Sequence, residues 1–230
     1  MASLPRIASE AGYGVAIMTK SSCRPLVGAT LQKADDPAYA ASCSAYTRKA
    51  FRWVAANSAI GTVVLAGLWT NPLDGGSEHY VGVPNVPGRS EEGVLVAGVA
   101  DAVRHLTHAG KRVLVMEDVP YWTFDPARAA RTNYYPLRRQ LSAIVSDDTA
   151  VSATTGPTRL RRLGAEQRLR AAVERAGGHY VLTRHKFCTD AGPICRYATD
   201  QAVLFADRSH LTADGADYAL SGDREVVLGL

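Results

Sequence analysis

Five short apolar runs set the terms on which this chain can fold: Val15-Ala16-Ile17-Met18, Thr62-Val63-Val64-Leu65-Ala66, Arg112-Val113-Leu114-Val115-Met116, His179-Tyr180-Val181-Leu182 and Ala202-Val203-Leu204-Phe205. Each is a near-continuous block of aliphatic and β-branched residues, without the polar alternation of a half-solvated strand. Such blocks predict strands covered on both faces, as in a parallel sheet. Amphipathic helical stretches separate them, at residues 2–11, 44–58, 91–109, 157–176 and 213–221. Gly12, Gly110 and the pair Gly177-Gly178 follow three of these stretches, where helices commonly close in a left-handed conformation. Alternating strands and helices predict a three-layer α/β/α sandwich around a parallel sheet. With 230 residues, 47% of them hydrophobic, the chain can bury one sizeable core, and no repeat or low-complexity linker divides it. One domain over residues 1–230 is expected.

The irregular segments 19–43, 67–90, 118–156 and 184–201 all follow predicted strands. Loops at the carboxyl ends of parallel strands form the binding crevice of such folds. The order nevertheless begins with a helix, and the first predicted strand comes only near residue 13. Most open α/β sheets begin with a strand that becomes central, and its following loop carries the key catalytic or phosphate-binding group. No such strand precedes the first helix in this sequence.

Charge and cysteine usage narrow the functional classes. A net charge of +4 is too mild a basic balance to imply a nucleic-acid partner. The densest basic run, Arg159 to Arg162 with Arg168 and Arg170, is interleaved with Leu160, Leu163 and Leu169 at helical spacing. It reads as the solvated face of an amphipathic helix rather than a phosphate-binding patch. No apolar run reaches the roughly eighteen residues a membrane span needs, and the opening residues lack the pattern of a secretory signal. The four cysteines fall into two local pairs, Cys23 with Cys43 and Cys188 with Cys195, without the tight spacing of zinc or redox sites. Two readings stand: two loop-closing disulfides in an oxidising compartment, or four thiols in a reducing one. The turn-rich Asp190-Ala191-Gly192-Pro193 between the second pair favours the disulfides.

The chemistry concentrates near the C-terminus, in Phe205-Ala206-Asp207-Arg208-Ser209-His210-Leu211-Thr212. An acid three residues before a histidine, at the end of an apolar run, can place carboxylate and imidazole side by side. They would then serve as the orienting acid and general base of a Ser/His/Asp triad. Taken alone, the spacing equally fits an aspartate capping the following helix beside a surface histidine. The chain contains neither Gly-Asp-Ser nor Gly-x-Ser-x-Gly, so no nucleophile accompanies the pair. Ser22 and Ser77 lie in loops, away from any strand-to-helix elbow.

Three segments carry a family resemblance. Thr19-Lys20-Ser21-Ser22-Cys23-Arg24-Pro25-Leu26, the strand ending Leu65-Ala66-Gly67-Leu68-Trp69, and the tail from Cys195 through Asp207-Arg208-Ser209-His210-Leu211-Thr212-Ala213-Asp214-Gly215-Ala216 resemble the SGNH-hydrolase-type domain. More narrowly, they are similar to the extracytoplasmic SGNH domain fused behind the acyltransferase-3 membrane domain. The likeness covers nearly the whole chain, and the Asp-x-x-His-Leu-(Ser/Thr)-x-x-Gly-Ala tail is its most specific part. The resemblance implies an SGNH/flavodoxin-like fold that O-acetylates a bacterial surface glycan, such as lipopolysaccharide or peptidoglycan, through an acyl-serine.

It further implies that His210 is the general base and Asp207 its orienting acid, with Gly28 and Asn71 as candidate oxyanion donors. Trp69, Trp122 and Tyr121 are candidates for the substrate pocket, Trp69 as sugar platform or acetyl-pocket wall. Tyr134-Tyr135, with Trp122 and Tyr121, fit the lining of a carbohydrate groove and equally a mini-core of their own loop, and the alternative for Trp69 is plain core packing. No metal and no cofactor is expected. The expected partners are the glycan and a membrane acyltransferase domain delivering acetyl, in the same protein or a neighbour, at the periplasmic or extracytoplasmic face of the inner membrane. The family's pattern starts with a strand and Gly-Asp-Ser-His ahead of a helix that Leu4-Pro5 matches. Its serine therefore falls just before Met1, and an N-terminally truncated domain is expected. The rival readings are a stand-alone esterase fragment and a non-catalytic glycan-binding pseudoenzyme.

Overall fold

The computed structural model describes residues 3–84, 89–134, 140, 156–157, 163–189 and 194–228. In chain order its elements are α1 (Ser3–Glu10), β1 (Ala29–Lys33), α2 (Tyr39–Ala56), β2 (Thr62–Leu65), a 3₁₀ turn (Asn71–Asp74), β3 (Glu78–Gly82), α3 (Glu91–His108), β4 (Arg112–Met116) and α4 (Pro126–Tyr134). There follow β5 (Gly156–Pro157), α5 (Leu163–Arg175), β6 (His179–Val181), α6 (Arg184–Phe187), β7 (Ile194–Cys195), α7 (Ala213–Ala219) and α8 (Arg224–Leu228).

Three of the predicted runs pair in parallel as β2-β4-β6, with Thr62 opposite Arg112 and Leu114 opposite His179. Val113, Leu114 and Val115 of the central strand are fully buried, as a strand covered on both faces requires. The result is mixed α/β with a parallel sheet, as the alternation predicts. Gly12, Gly110 and Gly177 close their helices at φ of +80°, +74° and +84°. At the start of α3, the Ser90 hydroxyl accepts the Gly93 N–H, and Glu91 and Glu92 occupy the first turn, where the helix dipole favours anions.

Two predicted strands are corrected. Val15–Met18 joins no ladder: residues 11–19 are exposed, with Ile17 54% and Tyr13 50% accessible. No main-chain group from Gly14 to Thr19 finds a hydrogen-bond partner among the described residues. A strand exists only by pairing, and no neighbour offers itself here, although β2 lies at a margin of the sheet. Ala202–Phe205 makes only the isolated antiparallel bridges Ala198↔Val203 and Phe205↔Leu211, because the chain folds back tightly on both sides of it. Conversely, two segments expected to be irregular contain the antiparallel pair β1/β3, with Leu31 opposite a buried Tyr80. Helix α3 packs so closely on β1 that a Cβ at Gly98 would lie 2.7 Å from the Cβ of Ala29.

The main core gathers α2, α3, α5 and the sheet around Leu95, Val99, Val103 and Leu106. A second, aromatic core of Trp122, Phe187, Tyr197 and Phe205 sits beneath the C-terminal segment. Its rings meet edge-to-face, Trp122 lying 5.4 Å from Phe205 and 5.5 Å from Tyr197. Both expected disulfides are present. Cys23–Cys43 ties the loop after the unpaired run to α2, and Cys188–Cys195 closes a loop against the aromatic core. Replacing Cys23 and Cys43 by alanine is expected to cost about 3 kcal/mol through the freed unfolded chain. Denaturant unfolding of the oxidised proteins measures it, and an unchanged midpoint would refute it.

Candidate active site

The acid–base pair is built by a turn that Asp207 makes for itself. Its Oδ1 accepts the N–H groups of Ser209 and His210, both at 2.8 Å, which folds the chain back within three residues. That return brings His210 Nδ1 to 2.7 Å from Asp207 Oδ2. Partial burial pushes the Asp207 pKa up, but the two N–H donors and the imidazole outweigh it and hold the carboxyl below its ordinary value. With Asp207 ionised, Nδ1–H is the donor of this bond, and Nε2 is the ring nitrogen left for a substrate. The His210 side chain is 79% exposed, and Nε2 carries no hydrogen bond among the described residues.

Asp207 does not cap the following helix. Thr212 does, its hydroxyl accepting the Gly215 N–H at 3.0 Å while donating to Val203 O at 2.7 Å. The Ala206 N–H donates to His210 O, and the Trp122 N–H donates to Arg208 O at 2.9 Å, so the turn is clamped onto the aromatic core.

A second structure lies after β2. The short segment Leu68–Thr70 is held by three buried polar side chains from elsewhere in the chain. Arg24 donates from Nε and Nη2 to Leu68 O, Tyr80 donates its hydroxyl to Trp69 O at 2.6 Å, and Asp118 accepts the N–H groups of Trp69 and Thr70 and the Thr70 hydroxyl. Burial drives the Asp118 pKa up against those three donors. Held this way, the segment delivers Asn71 at the start of the 3₁₀ turn into a narrow cleft with Thr70, Asp118, Tyr121 and Arg184. Arg184 pairs with Glu166, which also lines the cleft. Sequence reasoning missed Asp118, though its place just past the carboxyl end of β4 is the position a parallel sheet marks for function.

The other predicted residues scatter. Tyr121 lines the cleft. Trp69 and Trp122 are fully buried and are not among the residues lining the cleft; both indoles pack in the core, and the Trp69 Nε1–H is taken by Met116 O. Gly28 has φ +67° and sits beside Asp101 of α3; its carbonyl accepts from Val83, and no hydrogen bond links it to Asn71, Asp207 or His210. Ser22 takes φ +57° in a turn closed by the Cys23 N–H on Lys20 O. No serine hydroxyl among the described residues is bonded to His210. Tyr135 lies outside the described residues, as do Arg159 to Arg162.

Comparison with known proteins bears on the fold and the family. Across 97% of its length the chain matches a solved structure, the periplasmic domain of a lipopolysaccharide acetyltransferase from Salmonella ser. Paratyphi A, with a TM-score of 0.67, 14% identity and 77% of that chain covered. At that identity the likeness establishes the fold. No curated protein matches. The family model described as the SGNH domain fused to AT3 domains matches residues 1–220, and the chain therefore belongs to the SGNH domain family of that AT3-fused type.

Proposed function

We propose that this domain moves an acetyl group onto a hydroxyl of a bacterial surface glycan through an acyl-serine, with His210 as general base and Asp207 as its orienting acid. One observation carries the reading: an ionised Asp207 lies 2.7 Å from His210 Nδ1, with Nε2 open to solvent. The serine comes from residues ahead of Met1 in a longer polypeptide. Two features support that origin. Arg6 of α1 is bonded to Asp217 of α7, so α1 lies beside the helix that follows His210. Among the described residues the run through Val15–Met18 and one side of β2 are unpaired, which leaves backbone groups for one further parallel strand.

In the first half-reaction Nε2 takes the serine proton as Oγ attacks the acetyl carbonyl. The tetrahedral oxyanion collapses, the donor's oxygen leaves with that proton, and acetyl-serine remains. In the second, Nε2 takes the proton of the glycan hydroxyl, which attacks the acyl carbon, and the serine oxygen recovers the proton. Asn71, which lines the cleft, supplies a side-chain N–H to the oxyanion. A membrane acyltransferase domain presents the donor, and the two disulfides suit the periplasmic side.

Mass spectrometry of the domain carrying its upstream strand and serine, after exposure to p-nitrophenyl acetate and acid quench, tests this. The expected result is one acetyl group on that serine, absent from the Ser→Ala form. Acetylation elsewhere, or none, would contradict it.

A further inference from the structure

Helix α2 keeps one side in the core and the other in solvent. Tyr39, Cys43, Thr47 and Phe51 recur every four residues and are buried. On the opposite side Arg48, Lys49, Arg52 and Trp53 are all exposed, Trp53 to 46%. Helical spacing puts the four on adjacent turns of one face. Ala45 and Ala56, also exposed on this side, carry only methyl groups, so the three cations and the indole stand proud of the helix.

Nothing on the face balances its charge. Helix α2 contains no acidic residue, and none occurs in the sequence between Asp36 and Asp74. Arg48, Lys49 and Arg52 make no ion pair and no side-chain hydrogen bond among the described residues. Helix α3 meets α2 where His105 packs edge-on against Phe51, and the acid one turn before that histidine, Asp101, is taken by Arg104. Like charges on adjacent turns repel one another, and a surface of opposite charge relieves them. The exposed indole beside them is apolar in its body and has an N–H at its edge. Such a ring suits the boundary between headgroups and hydrocarbon.

We infer that this face of α2 is a docking surface for a bilayer of anionic lipid, with Arg48, Lys49 and Arg52 on the headgroup phosphates and Trp53 set into the interface. Shape favours a bilayer over a small soluble anion. A helix face is convex and encloses nothing, whereas small ligands are held in concavities. A layer of anionic headgroups meets such a ridge along its length and attracts each basic side chain that comes near it. Family favours a bilayer over nucleic acid, since SGNH domains of this type are fused to AT3 membrane domains. No residue of α2 lines the cleft at Asn71, so the surface is separate from acyl transfer and stands or falls independently of it.

Trp53 also supplies the readout. The chain has three tryptophans, and Trp69 and Trp122 are fully buried, so a change of emission on vesicle binding reports Trp53. The 230-residue protein is titrated with vesicles of phosphatidylcholine alone and with vesicles that also contain phosphatidylglycerol. A blue shift is expected with the anionic vesicles only, reversed by salt and absent from Trp53→Phe. Co-sedimentation with the same vesicles measures affinity, and Arg48→Gln/Lys49→Gln/Arg52→Gln is expected to weaken it about 100-fold. The control Arg128→Gln/Arg131→Gln/Arg175→Gln removes the same charge from exposed positions of α4 and α5 and is expected to bind as the parent does. Equal binding to the two kinds of vesicle, no binding to either, or equal losses in the two triple variants would overturn the proposal. So would capture by dextran sulfate without binding to vesicles, which would assign the face to a soluble polyanion. Circular dichroism of each variant separates these results from misfolding.

Discussion

Gly215→Ala is expected to destabilise the fold by about 4 kcal/mol or more, far beyond an ordinary glycine replacement. A Cβ at Gly215 would stand 1.8 Å from the Leu204 carbonyl oxygen, 2.7 Å from its carbon and 3.0 Å from its Cα. All three are backbone atoms, so no rotamer relieves the clash, and α7 must lift off the 203–205 segment. That contact is held by the Thr212 N–H on Leu204 O at 3.0 Å and the Thr212 hydroxyl on Val203 O. Lifting the helix breaks both and loosens Leu204 and Phe205 in the aromatic core. For a chain of this size the melting temperature should fall by about 8–16 °C. Gly61→Ala, with open space around its Cβ position, should stay within about 1 kcal/mol of the parent. Equal melting of the two variants would contradict the packing.

The same contact explains why the tail motif is legible in the sequence. Asp207 makes the turn and His210 closes it, Leu211 packs on the aromatic core, Thr212 caps α7, and Gly215 admits the close approach. Each of these roles is played over a few residues, and short-range roles leave short-range patterns. The central strands are legible for a similar reason, since burial on both faces dictates their composition.

What escapes a sequence reading depends on partners far apart in the chain. The antiparallel pair β1/β3 joins segments some fifty residues apart, and Asp118 acquires its meaning from Trp69 and Thr70. Composition alone cannot separate Val15–Met18 from a strand, because its propensity is a strand's, yet it is exposed and pairs with no strand among the described residues. Trp69 and Trp122 mislead in the opposite sense. Aromatic residues near a crevice look like a binding surface until burial is known, and here both are core.

On the function proposed above, the activity of the Asp207–His210 pair rests on a serine carried by a strand ahead of Met1; among the described residues no serine hydroxyl is bonded to His210. Placed before α1, a strand ending Gly-Asp-Ser-His would fill the free side of β2 and bring its serine beside α7 and the His210 turn. A complete triad then raises ester turnover by at least about 10³-fold over a form lacking one member. The most direct measurement is hydrolysis of p-nitrophenyl acetate by four proteins: the 230-residue chain, its His210→Ala variant, the chain extended by that strand, and the extended His210→Ala variant. Turnover is expected from the extended chain alone, the other three remaining at one common background. His210-dependent turnover by the 230-residue chain, or none above background from the extended one, would contradict the account.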